Sequence, residues 1–211
     1  MKTKFYTLAA LCLTLVLASC GGGEKEKEAE GNEEAKCFYS LNEDSYELTW
    51  TAYKTTDKVA VGGTFDEVTF SVGAGETQQS AIEGIQFDIN TATVNSNNEE
   101  RDGKITEHFF GTINTPKITG KVISIDMAKN KALLAITMNG QTVEVTGDFE
   151  MVENDFSFNA SINVDQWNAK TGIDALNEVC YELHKGNDGV SKLWSEVAIS
   201  FTGSLNKDCD E

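Results

Sequence analysis

The chain has 211 residues with 34 acidic and 17 basic side chains, which gives a formal net charge of −17. A protein this acidic repels phosphate backbones and anionic headgroups, so the composition argues against nucleic acid as a partner and against membrane attachment through a basic surface. Loss of Lys2 and Lys4 with a cleaved N-terminal segment would make the charge (17 − 2) − 34 = −19.

Residues 1–19 are predicted to be a lipoprotein signal peptide. Lys2 and Lys4 precede an apolar run over 8–18, which is too short to cross a bilayer because a spanning helix needs roughly 20 apolar residues. The run ends in Leu17-Ala18-Ser19-Cys20, the pattern of a bacterial lipobox, so Cys20 is the predicted lipid attachment site. Gly21 at the next position favours the outer membrane, with the protein in the cell envelope facing the periplasm or the cell surface.

The rest of the chain divides into a short tether and one folded domain. Residues 20–37 are predicted to be a lipidated, flexible, acidic tether, because Glu24 to Lys36 includes no large apolar residue that could support folding. Residues 38–211 are long enough for a single domain with a sizeable core.

Strand-like alternation dominates this domain. Apolar and polar residues alternate over 46–52 and 156–164, the period expected of half-buried strands, and Asn139-Gly140 predicts a hairpin between 132–137 and 142–146. Many antiparallel strands with few helices indicate a β-sandwich or a closed barrel, and the period alone leaves both open. The other predicted strands are Val59–Phe70, Gly84–Thr93, Lys117–Asp126 and Trp194–Leu205.

Two helices are predicted between the strands. The first runs from Glu99 to Phe110. The second runs from Thr171 to Gly186, with Thr171 and Asp174 as a capping-box-like start and Gly186 as the stop. We expect this second helix to lie across the mouth of a barrel as a lid. Its apolar face would consist of Ile173, Leu176, Val179, Cys180 and Leu183.

The residues that carry chemistry do not form a catalytic motif. His108 and His184 are the two histidines, and each is predicted to be a surface or helix-capping residue. The sequence has no Cys-x-x-Cys pair, nucleophile elbow or phosphate-binding glycine loop. The chain is therefore predicted not to be an enzyme, and to have no metal site and no cofactor.

The cysteines indicate one disulfide. Cys37, Cys180 and Cys209 would remain in an oxidising compartment, and three thiols allow three pairings. Cys37 precedes the first strand and Cys209 follows the last, so both would emerge at the same end if those strands pair antiparallel. We expect a Cys37–Cys209 disulfide, with Cys180 as a buried free thiol.

The stretch Val94–Asp102, followed by Phe109-Phe110 and Pro116, resembles the YceI-like family. Val61-Gly62-Gly63-Thr64-Phe65 and Ser195-Glu196-Val197 follow the order of that family's strands, so the likeness covers roughly 45–205. The resemblance implies an all-β fold, an eight-stranded antiparallel lipocalin-like β-barrel with one or two short helices near the mouth. It also implies an elongated apolar cavity for a polyisoprenoid or a similar long-chain amphiphile. Gly120 departs from the family, which usually has an aromatic residue there.

These expectations describe a membrane-anchored binding or carrier protein for a long-chain lipid. Arg101 is a candidate to bind the ligand's headgroup, and the alternative is an ion pair near Asp102 that fixes its loop. The alternative function is a ligand-free periplasmic or surface interaction protein with a barrel filled by side chains. The side chains predicted to line the cavity are Leu48, Trp50, Phe65, Phe87, Phe109, Phe110, Leu134, Ile136, Phe156 and Phe158.

Overall fold

The computed structural model describes residues 36–71 and 73–210, and these fall in one compact unit, Ala35–Glu211. The predicted signal peptide, Cys20 and nearly all of the predicted tether lie outside the described residues. Within the described part of the chain, no helix is long and apolar enough to cross a membrane.

One antiparallel sheet contains all ten strands found among the described residues. Its strands are β1 (Cys37–Lys54), β2 (Val59–Phe65), β3 (Val68–Ser71), β4 (Gln86–Asn90), β5 (Val94–Asn95), β6 (Lys117–Asp126), β7 (Lys131–Met138), β8 (Gln141–Val152), β9 (Asp155–Asn163) and β10 (Leu193–Cys209). The spatial order is β3-β4-β6-β7-β8-β9-β10-β1-β2-β5. The sheet is strongly curled into a half-barrel, because inward side chains from every strand surround the same interior.

The all-β antiparallel class is confirmed, but the predicted number of eight strands is wrong. The segment Val59–Phe70, predicted as one strand, is divided into β2 and β3 at Asp66 and Glu67. There the amides of Asp66 and Glu67 donate to the carbonyl and the hydroxyl of Thr93, at 2.9 and 3.0 Å, instead of continuing a ladder. The two-residue strand β5 adds the tenth. Pairing among the described strands ends at β3 and β5, so it forms a half-barrel and not the closed barrel that was expected.

The predicted hairpin is confirmed. Met138 pairs with Gln141 across Asn139 and Gly140, whose φ angles are 48° and 68°. Both values lie in the left-handed region that a type I′ turn requires.

Three short α-helices connect the strands. They are α1 (Gln78–Glu83), which the sequence reading missed, α2 (Glu99–Lys104) and α3 (Lys170–Val179). A π-helical segment, Ile105–Gly111, continues α2, so the predicted helix over 99–110 is present with an irregular second half. In α2 the Asn98 side chain caps the first turn by accepting from the Arg101 amide at 2.9 Å.

The predicted limits of α3 are wrong. The helix begins at Lys170 after Ala169, with no side-chain cap, and Asp174 accepts from Lys170 Nζ at 2.7 Å instead of completing a capping box. It ends at Val179, and a 3₁₀ turn over Tyr181–Leu183 follows. Gly186 therefore lies in a later turn and does not stop the helix.

The strands β1 and β10 define the two ends of the domain. Cys37 pairs with Cys209 at one end, where a disulfide joins their Sγ atoms, and Lys54 pairs with Leu193 at the other. We call the first the disulfide end. We call the second the helical end, because α3 and its 3₁₀ turn lead into the start of β10. The free Cys180 is buried.

Candidate ligand-binding cavity

A cavity of about 240 Å³ occupies the interior of the half-barrel. Its wall is almost entirely aliphatic and aromatic, and Thr49 and Ser200 are the polar residues among the side chains that line it. A space of this composition excludes polar groups, since burying a polar group without a hydrogen-bond partner costs several kcal/mol. The cavity therefore suits an apolar chain.

The inward side chains in the middle of β1 and β10 are less buried than those of β7 and β8. On these strands the inward side chains Leu48, Trp50, Val197, Ile199 and Phe201 are only half-buried. On the opposite wall, Ala132, Leu134, Ile136 and Met138 of β7 and Val145 and Phe149 of β8 are buried. Phe65, Phe70 and Phe87 are half-buried as well, so the less tightly packed part of the wall also includes β2, β3 and β4.

All ten side chains that were predicted from the sequence to line the cavity do line it. Binding of a ligand by them stays a prediction. The sequence analysis did not predict the lining residues that break the alternation of inward and outward side chains, such as the consecutive Leu193 and Trp194 at the start of β10. It identified Ile173 and Leu176 as an apolar helix face but did not assign them to the cavity.

Glycines on facing strands make room for two of the aromatic side chains. The ring of Phe87 covers Gly120, where an added Cβ would clash with three ring carbons. The Trp50 indole covers Gly63 in the same way, and its Nε1 donates to the Thr64 carbonyl at 3.1 Å.

Two helical segments cover the helical end, namely Glu99–Gly111 and Lys170–Val179. Phe109 and Phe110 from the π-helical segment face the cavity with ring centroids 5.0 Å apart. Gly172 allows α3 to approach closely, since a Cβ there would lie 3.0 Å from the Phe109 carbonyl oxygen. π-Helical turns are frequent at functional sites, and this one carries the aromatic pair into the cavity.

Arg101 lies on α2, one turn before Ile105, which lines the cavity. Among the described residues its guanidinium makes no salt bridge, and its buried Nε has no hydrogen-bond partner. Asp102 instead accepts from the Ser96 amide at 2.9 Å. The ion pair that was the alternative role for Arg101 is therefore not observed in the described part of the chain.

His184 is buried rather than exposed, which corrects the sequence prediction. Its Nδ1 lies 2.9 Å from Oδ1 of Asn177, and its backbone carbonyl accepts from the Lys192 amide at 3.1 Å. Burial, aided by the positive charge of Lys54, lowers the pKa of His184 to about 4. The ring is therefore neutral at pH 7 and does not act as a cation at a helix terminus.

Burial also raises the pKa of Cys180, so its thiol stays protonated and is a poor nucleophile.

His108 has a partly exposed side chain whose Nε2 lies 3.9 Å from Glu107. Over residues 36–71 and 73–210, no group of three or more potential ligands could hold a metal ion.

Comparison with known proteins agrees with this geometry. A sequence model of the YceI-like domain matches residues 39–205. A polyisoprenoid binding domain from Saccharophagus degradans superimposes with a TM-score of 0.57 at 15% identity, covering 82% of this chain and 98% of that one. BcnA from Burkholderia cenocepacia superimposes with a TM-score of 0.52 at 18% identity, covering 76% and 96%. At these identities the likeness establishes the fold alone. No curated protein matches the chain.

Proposed function

This chain belongs to the YceI-like domain family, and we propose that it binds a polyisoprenoid or another long-chain amphiphile inside the half-barrel. The observation that carries the proposal is the apolar cavity of about 240 Å³ inside the half-barrel. The polyisoprenoid binding domain of Saccharophagus degradans shares the fold, which supports the ligand class.

Burial of an apolar chain supplies the binding energy without specific polar contacts. Each Å² of apolar surface removed from water contributes about 25 cal/mol, so affinity should rise with chain length. Ligand pockets commonly measure roughly 300–1,000 Å³, and the present cavity is somewhat smaller. A chain that needs more than this volume requires movement of lining side chains.

Arg101 is the group that we propose to meet an anionic headgroup. It is a cation without a described carboxylate partner, and the π-helical segment that continues its helix lines the cavity from Ile105 onward. Arg101→Gln should weaken binding of a long-chain fatty acid about tenfold, because a charge-assisted hydrogen bond is lost, and should leave the matching fatty alcohol unaffected. Equal loss for both ligands would show that Arg101 acts only on the fold.

We further propose a lipoprotein whose acylated Cys20 holds the domain at the cell envelope, on the outer membrane. Its support is the sequence alone, namely the lipobox before Cys20 and the polar stretch that follows. Two or three acyl chains, at about 0.8 kcal/mol per buried methylene, give stable attachment. A binding role without catalysis agrees with the inert Cys180 and with the neutral His184.

Native mass spectrometry of the chain 21–211, exported in a bacterial host, tests the binding role. This chain contains the whole compact unit. Ala52 points into the cavity and its neighbour Thr51 does not. We expect a co-purifying lipid adduct on the wild type and on Thr51→Trp, and none on Ala52→Trp, whose indole occupies the cavity.

The thermal unfolding of both variants is the control for folding, since overpacking costs about 1–3 kcal/mol. A wild-type protein without an adduct that also takes up no fluorescent lipid would contradict the proposal. An adduct that survives in a folded Ala52→Trp protein would place the ligand elsewhere.

A further inference from the structure

Exposed apolar side chains are concentrated at the helical end. Nine large apolar residues are exposed in the described part of the chain, and four of them lie between 179 and 190. These are Val179, Tyr181, Leu183 and Val190, with exposed fractions of 44, 49, 59 and 50%. A β-bridge between Lys185 and Ser191 closes the turn that precedes Val190 and β10. Scattered apolar residues need no explanation, but a group of four in one short segment does.

Lysine and aromatic side chains lie at the same end of the domain as this group. The ammonium of Lys192 lies 3.4 Å from the Trp194 ring centroid, and that of Lys58 lies 4.6 Å from the same centroid. Lys185 lies 5.8 Å from the ring of Tyr181. Lys54 Nζ donates to the Leu183 carbonyl at 3.1 Å. We call Val179, Tyr181, Leu183 and Val190, with Lys54, Lys58, Lys185 and Lys192, the helical-end patch.

The charges of this region differ from those of the protein as a whole. Glu196 and Glu182 are paired with Lys58 and Lys185, at 2.8 and 3.3 Å. Asp188 accepts from the Thr56 hydroxyl at 2.7 Å. Lys54 and Lys192 make no salt bridge among the described residues. With Asp57 and Glu178, which are also exposed here, four lysines lie among five carboxylates, 4 − 5 = −1, so the region is close to neutral, whereas the chain carries a net charge of −17.

The patch is continuous with the cavity. Trp194 contacts two of its lysines and also lines the cavity. Leu193 and Leu176, beside the patch on β10 and α3, line the cavity as well. A surface that binds here therefore lies next to side chains that line the cavity.

We propose that the helical-end patch docks on the headgroup region of a lipid bilayer. Lysine, tyrosine and tryptophan around exposed aliphatic residues are the composition that suits a membrane–water interface, where lysines reach the phosphates and the rings lie at headgroup level. The rest of the protein repels an anionic bilayer, whereas this nearly neutral region does not. The inference extends the proposed lipid binding, and docking and cavity occupancy are measured separately.

Flotation with vesicles of phosphatidylethanolamine and phosphatidylglycerol tests the proposal. The chain 21–211 is used, because it contains the whole compact unit and lacks Cys20. Leu183→Glu is the test variant. Val152→Glu is the matched control, because Val152 is 71% exposed and lies at the disulfide end of β8. We expect the wild type and Val152→Glu to float with the vesicles and Leu183→Glu to bind at least about tenfold more weakly.

Three results would overturn docking. The wild type could fail to bind vesicles while native mass spectrometry shows a filled cavity, which would leave the proposed lipid binding intact. The two variants could bind equally. Sedimentation could instead show wild-type dimers that Leu183→Glu dissociates, which would make the patch an interface between two copies. Vesicle binding with an empty cavity would support docking and count against the ligand proposal.

Discussion

Replacement of His184 by asparagine should remove most of the pH dependence of folding stability between pH 8 and pH 5. The imidazole is buried between α3 and the start of β10, where its Nδ1 meets Asn177. Asn177 Oδ1 also accepts from the Ser191 hydroxyl at 3.3 Å. An amide oxygen only accepts, so the ring carries its proton on Nδ1, and the asparagine side chain can replace that donor.

The pKa values of His184 in the folded and unfolded states give the sign and the size of the change in folding stability. The pKa of His184 is about 4 in the folded protein and about 6.5 when unfolded, so the unfolded chain binds the proton first as the pH falls. Stability is complete above pH 6.5 and decreases as the pH falls towards 4. The difference amounts to at most about 2 kcal/mol between pH 8 and pH 5, because partial hydration of the ring reduces it.

Urea unfolding at several pH values measures this loss. His184→Asn should have a nearly constant free energy of unfolding over this range, while His108→Gln, the control, should lose stability as the wild type does. The window stays above the range in which the lowered pKa values of Asp126 and Asp188 matter. Equal pH dependence in the wild type and His184→Asn would refute the reasoning.

Two further changes test the fold. Replacing Cys37 and Cys209 by alanine should lower the free energy of unfolding by up to about 5 kcal/mol, because the bond closes a loop with a sequence separation of 172, and Cys180→Ala serves as the control in urea titrations. An equal loss in the control would contradict this. Gly120→Ala should drive the Phe87 ring into the cavity, so native mass spectrometry should show less bound lipid, and unchanged occupancy in a folded variant would disprove it.

The direction of the side chains along a strand and the position of a tight turn depend on neighbouring residues, so local sequence patterns predict them. A period of two fixes which side chains of 156–164 point inward, and Asn139-Gly140 fixes the hairpin turn through its positive φ angles. The structure also joins Cys37 to Cys209, as the position of both cysteines at the ends of the first and last strands suggested.

The sequence predictions that are wrong concern features that depend on contacts between residues far apart in the sequence. The division of the strand at Asp66 is caused by Thr93, which offers hydrogen bonds that no local pattern around 59–70 reveals. The burial of His184 depends on Asn177 and Lys192. In α3 the favourable capping sequence at Thr171 is not used, because the chain enters the helix one residue earlier, at Lys170.

The position of the disulfide also determines how the domain responds to mechanical load. The chain enters the domain at Cys37, and the β1–β10 pairing continues from there through Phe38 and Asp208. Without the bond, tension on the preceding segment would peel β1 from β10 one pair at a time. With it, the force divides between both strands at once, and their paired backbones must shear together. A domain held by its N-terminal segment would thus resist a pull on that segment at the point where the sheet would otherwise begin to unzip.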